Sequence, residues 1–116
     1  MNEKARAALQ RCRKIWEVEA QHGTGDKDKM YELAGLEPGS DIGDCPLCAY
    51  YITTHSYKMY SYTSNCGKRC LVRWPSYYSH CNLEGSPYAA WKLSSSKKTR
   101  KFFAKQIVAL CDEALQ

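Results

Sequence analysis

The chain is short of acid where it is rich in base. Between Cys45 and Cys111, ten lysines and arginines face one carboxylate, Glu84. Long apolar runs are also missing. Nothing approaches the roughly 20 residues that a membrane-spanning helix needs, and Ile107–Cys111 is among the longest apolar stretches. The opening residues, NEKARAALQRCRK, hold no uninterrupted apolar segment, which argues against a secretory signal. Catalytic motifs are absent as well: there is no Walker loop, no HExxH and no Ser-His-Asp context. The zinc-deaminase pattern needs His or Cys followed by Glu, then Pro-Cys-x-x-Cys. Here Cys45-Pro-Leu-Cys48 has no such Glu segment. These absences put binding ahead of catalysis, with a small nucleotide hydrolase left open by size alone.

What remains is one small domain of 116 residues, with 44% apolar and 25% charged residues, a globular composition. The net charge of +5 is unevenly placed. Residues 1–44 carry seven bases and nine acids, whereas residues 45–116 carry ten bases and three acids. The stretch from Cys45 to Cys111 also holds eight of the nine tyrosines. A basic surface interleaved with aromatics suits an anionic, ring-bearing partner, because phosphates meet Lys and Arg while bases stack on Tyr or Trp. It reads equally as a solvated basic face over a tyrosine-rich core.

The apolar periodicity predicts a helix over residues 3–21, with Ala5, Ala8, Leu9, Cys12, Ile15, Trp16 and Ala20 on one stripe. Asn2 would cap its start and Gly23 would end it. A shorter helix follows over 27–34, capped by Asp26 and stopped by Gly35, with Met30, Leu33 and Ala34 inward. Residues 49–63, rich in Tyr, Thr and Ile, favour a strand or hairpin, although imperfect alternation leaves helix and loop open. Ser86-Pro87 looks like a helix start, with Pro87 at the first helical position. The last helix runs from about 97 to 115, with Phe103, Ile107, Leu110, Cys111 and Ala114 on its apolar side and Ser94–Ser96 as candidate caps.

Seven cysteines are too many for chance and odd for pure pairing. Cys45-Pro-Leu-Cys48 and Cys66-Gly-Lys-Arg-Cys70 form two short pairs, with Cys81 beyond them. Two such pairs can turn four thiolates onto one tetrahedral ion, and in a reducing cytosol such clusters bind metal more often than they form disulfides. Zinc suits four thiolates, and a closed site would be a structural staple. The expected ligands are Cys45, Cys48, Cys66 and Cys70, with Cys81 as alternate ligand and His55 or His80 able to replace a cysteine. Two disulfides or an iron–sulfur cluster are the competing readings. Cys12 and Cys111 lie on the apolar stripes of the terminal helices and read as core, facing each other between packed helices.

The last helix is charged against its dipole. Lys97, Lys98, Arg100 and Lys101 crowd its start, while Asp112 and Glu113 sit at its end. An anion at that N-terminus would give the arrangement a purpose. Arg73-Trp74 and Tyr77-Tyr78 form a second candidate surface, and Lys68 and Arg69 join the candidate anion-binding residues. Trp74 is either a core lid or a stacking platform, and Trp91 reads as core.

Cys45-x-Leu-Cys48, the 66–70 pair, Cys81, Gly85-Ser86-Pro87-Tyr88 and Trp91 together resemble small cysteine-rich proteins encoded by phages and prophages, over roughly residues 45–91. The usual form has a two-residue gap where this chain has Cys-Gly-Lys-Arg-Cys. The resemblance implies a phage accessory or anti-defence factor in the host cytosol, acting by stoichiometric binding. The expected fold is mainly α, one domain over 1–116. A helical part over 1–44 and helices over 84–116 flank a small irregular or β zinc-bound segment over 45–83. The expected function is non-enzymatic sequestration of a nucleotide or nucleic acid. The competing expectation is a stoichiometric inhibitor of a host protein.

Overall fold

A computed structural model describes residues 1–41, 45–54, 70–72, 74 and 86–116. Among them the chain is helical, and five helices succeed one another: α1 (Glu3–His22), α2 (Lys27–Leu33), α3 (Pro46–Thr54), α4 (Pro87–Leu93) and α5 (Lys97–Leu115). The long terminal helices α1 and α5 pack along each other, α4 leans on α5, and α2 and α3 both pack on α1. The expected mainly helical architecture, with clasped N- and C-terminal helices, is what the structure shows.

Each boundary has a local cause. The Asn2 side chain accepts from the Ala5 N–H at 2.8 Å and caps α1. Gly23 ends α1 in the left-handed region at φ 63°, returning its own N–H to the Glu19 carbonyl. Asp26 caps α2 through Asp28 and Lys29. Ser86 caps α4 ahead of Pro87, and Ser96 caps α5 through the Thr99 N–H.

The core follows the stripes. Leu9, Cys12, Ile15 and Trp16 of α1 meet Ala104, Ile107 and Cys111 of α5, and Met30, Leu47, Val72, Trp74 and Trp91 close around them. At roughly 25 cal/mol per Å² of apolar surface, each large side chain of this set contributes about 1.5–3 kcal/mol by leaving water. In α2 Met30 and Ala34 face inward as expected, but Tyr31 takes the place expected of Leu33. Tyr31 is buried, whereas Leu33 is 41% exposed. The Tyr31 hydroxyl donates to Asp41 at 2.8 Å, and Arg11 Nε donates to the same oxygen at 2.8 Å. The polar tip of Tyr31 thus has a partner that a leucine would leave idle. Burial first, then that carboxylate, pushes the phenol well above its ordinary range. Arg13 ties the two long helices at the surface, bonding Asp112 of α5 as well as Glu17 of its own helix.

The strand or hairpin expected over 49–63 is corrected for residues 49–54, which form most of α3. Pro46 suits a first helical turn, and the Cys45 carbonyl accepts the Ala49 N–H at 2.9 Å. Leu47, 3% exposed, anchors the helix in the core. Strand propensity is a weak preference that such packing overrides. Residues 55–63 lie outside the described residues.

Candidate functional site: a cationic aromatic cleft

The site begins with a buried carboxylate. Glu19 lies on the same stripe as Cys12 and Trp16, one turn before α1 ends, and is fully buried. Its Oε1 accepts from the Thr24 N–H at 2.7 Å and the Thr24 hydroxyl at 2.9 Å. Its Oε2 accepts from the Gly25 N–H at 2.8 Å and the Trp91 indole N–H at 2.7 Å. Four donors around one carboxylate offset the cost of removing it from water. They also tie the α1–α2 turn to α4, elements far apart in the chain.

Arg100 of α5 completes the frame. Its Nε donates to the Gly23 carbonyl at 2.8 Å. Its side chain lies so close to Gly25 that a Cβ there would stand 2.9 Å from the guanidinium nitrogen. Gly25 has φ 72°, so the turn needs glycine for both its conformation and this approach.

Between turn, α4 and α5 a cleft of about 530 Å³ opens. Its lining includes Lys27, Lys92 and Arg100, with Tyr88 and Trp91 as the aromatic wall. Lys27 Nζ stands 4.6 Å from the Tyr88 ring centroid and Lys92 Nζ 5.6 Å. Trp91 stacks on Tyr88 with centroids 5.9 Å apart, and Trp16 meets the edges of both rings. Among the described residues Asp26 is the single acid in this lining, and its carboxylate is engaged in capping α2. The cleft is therefore net positive and holds a half-buried tyrosine ring backed by a tryptophan that Glu19 fixes.

The residues predicted for ligand binding fare unequally. Arg100 lines the cleft while bracing the turn. Lys97 and Lys98 are exposed at the start of α5 and Lys101 is half-buried there, its side chain near Gly23. The start of α5 already carries its own cap, Ser96. Trp74 is 5% exposed, and its indole N–H donates to Cys70 Sγ at 3.3 Å. It takes the lid role and not that of an exposed platform. Lys68, Arg69, Arg73, Tyr77 and Tyr78 lie outside the described residues. Lys27, Lys92, Tyr88 and Glu19 were not singled out from the sequence for a ligand. Only Glu19 left a signal there: a carboxylate on a buried stripe, followed by Gly23-Thr24-Gly25. Lys27 and Lys92 are far apart in sequence and come to the same ring only through the fold.

The thiols form a separate feature. Cys12 and Cys111 are both buried in the core, as expected for the facing stripes. Cys45 packs against them, and no disulfide joins the five described cysteines, Cys12, Cys45, Cys48, Cys70 and Cys111. Contact with Cys111, then with Cys45, then burial hold the Cys12 thiol well above its ordinary range. Hydrogen bonds from Cys12 and Cys48 hold Cys45 well below it, against burial and with help from Lys27. Among the described residues no group of three or more His, Cys, Asp or Glu side chains is assembled that could hold a metal ion. Of the expected ligand set, Cys66 and the alternate Cys81 lie outside the described residues, as do His55 and His80. Among the described residues no helix is long and apolar enough to cross a membrane. No family model, no curated protein and no solved structure matches the chain.

Proposed function

We propose that this chain is a small non-enzymatic protein that sequesters an anionic partner, a nucleotide or nucleic acid. The observation that carries the reading is the cleft, where Lys27, Lys92 and Arg100 converge beside an aromatic wall. Its volume falls within the range of small-ligand pockets. The chain holds no catalytic motif of the kinds sought in its sequence, and the buried Glu19 has both oxygens engaged by donors, which fits binding better than proton transfer. A structural zinc held by Cys45 and Cys48 with Cys66 and Cys70 belongs to the same proposal, as does a role as a phage accessory or anti-defence factor. Cys45 at the head of α3 and Cys70 beside Trp74 both pack against the core, where a staple would act.

Calorimetric titration of the purified protein with inorganic triphosphate at about 50 and 200 mM salt tests the anion reading. Binding that weakens several-fold with salt, and is lost in Lys27→Ala/Lys92→Ala, is expected. No binding at either salt concentration would refute it. The competing reading, a stoichiometric inhibitor of a host protein, is favoured by one observation: Leu93 and Phe102 are 86% and 55% exposed.

A further inference from the structure

We propose that Cys45 is a redox modification site, at which its sulfur and that of Cys12 join in a reversible disulfide between the head of α3 and the middle of α1. The oxidant is a small-molecule disulfide of the glutathione class. The inference is independent of what the cleft binds.

Packing brings the sulfurs together. Cys12 lies on the buried stripe of α1 and Cys111 on that of α5, and the two side chains touch across the clasp. Cys45 reaches Cys12 from a third element, where α3 begins. The Cys45 carbonyl accepts the Ala49 N–H, and its sulfur accepts the Cys48 backbone N–H. The side chain is therefore folded back over the first turn of α3 and held there. Buried Pro46 and Leu47 fix that turn against the core. The foremost side-chain contact of the Cys45 sulfur is Cys12, followed by Cys48. Both Cys12 and Cys45 carry free thiols, on helices that already pack on each other.

Access decides which thiol reacts first. Cys12 and Cys111 are 1% and 0% exposed, so the pair they form is closed to reagents in solution. Cys45 is only half-buried. Disulfide exchange proceeds by attack of a thiolate on a disulfide sulfur, through a mixed disulfide. Cys45 attacks oxidised glutathione, bonds to one of its sulfurs and releases the other as a thiolate. Cys12 then attacks the Cys45 sulfur, breaks the mixed disulfide and releases the second glutathione. Two protein thiols are oxidised, and one glutathione disulfide is reduced to two thiols. The protons lost by the cysteines pass to the released thiolates. Cys12 is in contact from the start, so the second step needs no diffusional search. Cys45 is also an expected zinc ligand, and the disulfide withdraws it from that role.

The test treats the full chain with oxidised glutathione at neutral pH, with and without a chelator, and maps disulfides by mass spectrometry of unreduced peptides. The inference expects a Cys12–Cys45 link as the main product at Cys45 in the chelated sample, removed again by excess reduced glutathione. Cys12→Ala should lose the link and keep glutathione on Cys45, whereas Cys111→Ala should retain the link. A main product joining Cys45 to Cys48, or Cys12 to Cys111, would overturn the inference. So would a wild-type Cys45 that stays free or keeps its glutathione. If the chelated chain loses its helical circular dichroism, the sample without chelator decides by the same criteria. If a variant fails to fold, the wild-type map still decides.

Discussion

Replacing Glu19 with glutamine tests the frame of the cleft directly. The carboxylate accepts four hydrogen bonds and donates none. Glutamine keeps the shape but puts an NH₂ where one oxygen was. Set toward Gly25 and Trp91, that NH₂ faces two N–H donors. Flipped, it faces the Thr24 N–H, while the Thr24 hydroxyl can turn to accept. The flipped form is cheaper, and it leaves one buried backbone donor unpaired at about 1–3 kcal/mol. The bonds that survive lose their charge assistance, while release from burying a charge returns part of the loss. The net expectation is a destabilisation of about 2–3 kcal/mol, a large part of the stability of a small domain. For a domain of this size that lowers Tm by about 8–12 °C. Urea unfolding followed by circular dichroism at neutral pH measures it, with the slope against urea unchanged. Trp91→Phe removes one donor of the same set, so the double variant should lose less than the sum of the singles by at least about 0.5 kcal/mol. A Glu19→Gln protein within about 0.5 kcal/mol of wild type, or strictly additive losses, would mean that the four bonds do not form one unit.

Three further expectations follow from the same geometry. Gly23→Ala forces a side chain into a left-handed conformation with its Cβ 2.9 Å from the Lys97 carbonyl oxygen, and should cost at least about 1–2 kcal/mol by thermal unfolding. Lys97, Lys98 and Lys101 oppose the dipole of α5, so neutralising all three to Gln should raise Tm by about 1–3 °C while weakening triphosphate binding less than Lys27→Ala/Lys92→Ala does. Elemental analysis of protein purified without chelator should find one zinc per chain, lost in Cys45→Ser and in Cys48→Ser and kept in Cys12→Ser.

The long helices were legible because their physics is local and repeated. Stripes at three- and four-residue spacing, Asn2 and Ser96 as caps and Gly23 as a stop all act within a few residues of one another, and the boundaries of α1 and α5 fall where these signals place them. α3 was not legible. Tyr, Thr and Ile argue for a strand, and what overrides them is packing on α1, a partner some thirty residues upstream. The cleft shows the same divide. Arg100 drew notice because it sits in a run of charge. Lys27, in the alternating run Asp26-Lys27-Asp28-Lys29, and Lys92 belong to no basic cluster in the sequence and become a pair only when α2 and α4 fold onto the end of α1. In α2 Tyr31 takes the inward place expected of Leu33 because the carboxylate of Asp41 accepts from the phenol.

The clasp of α1 and α5 bears on how the molecule is made. Arg13 and Asp112 are 99 residues apart, and the facing thiols of Cys12 and Cys111 are separated by as many. A ribosome extends a chain at about 5–20 residues per second. The part of the α1 stripe that α5 covers therefore waits several seconds for its partner, while α2 and α3, made earlier, supply the rest of its cover. Closing so long a loop is only weakly sensitive to its length, since each doubling costs about 0.6 kcal/mol. Loop-closure entropy therefore sets little constraint on the length of that connection, and what constrains it is the packing of α2, α3 and α4 between the clasped helices and around the cleft.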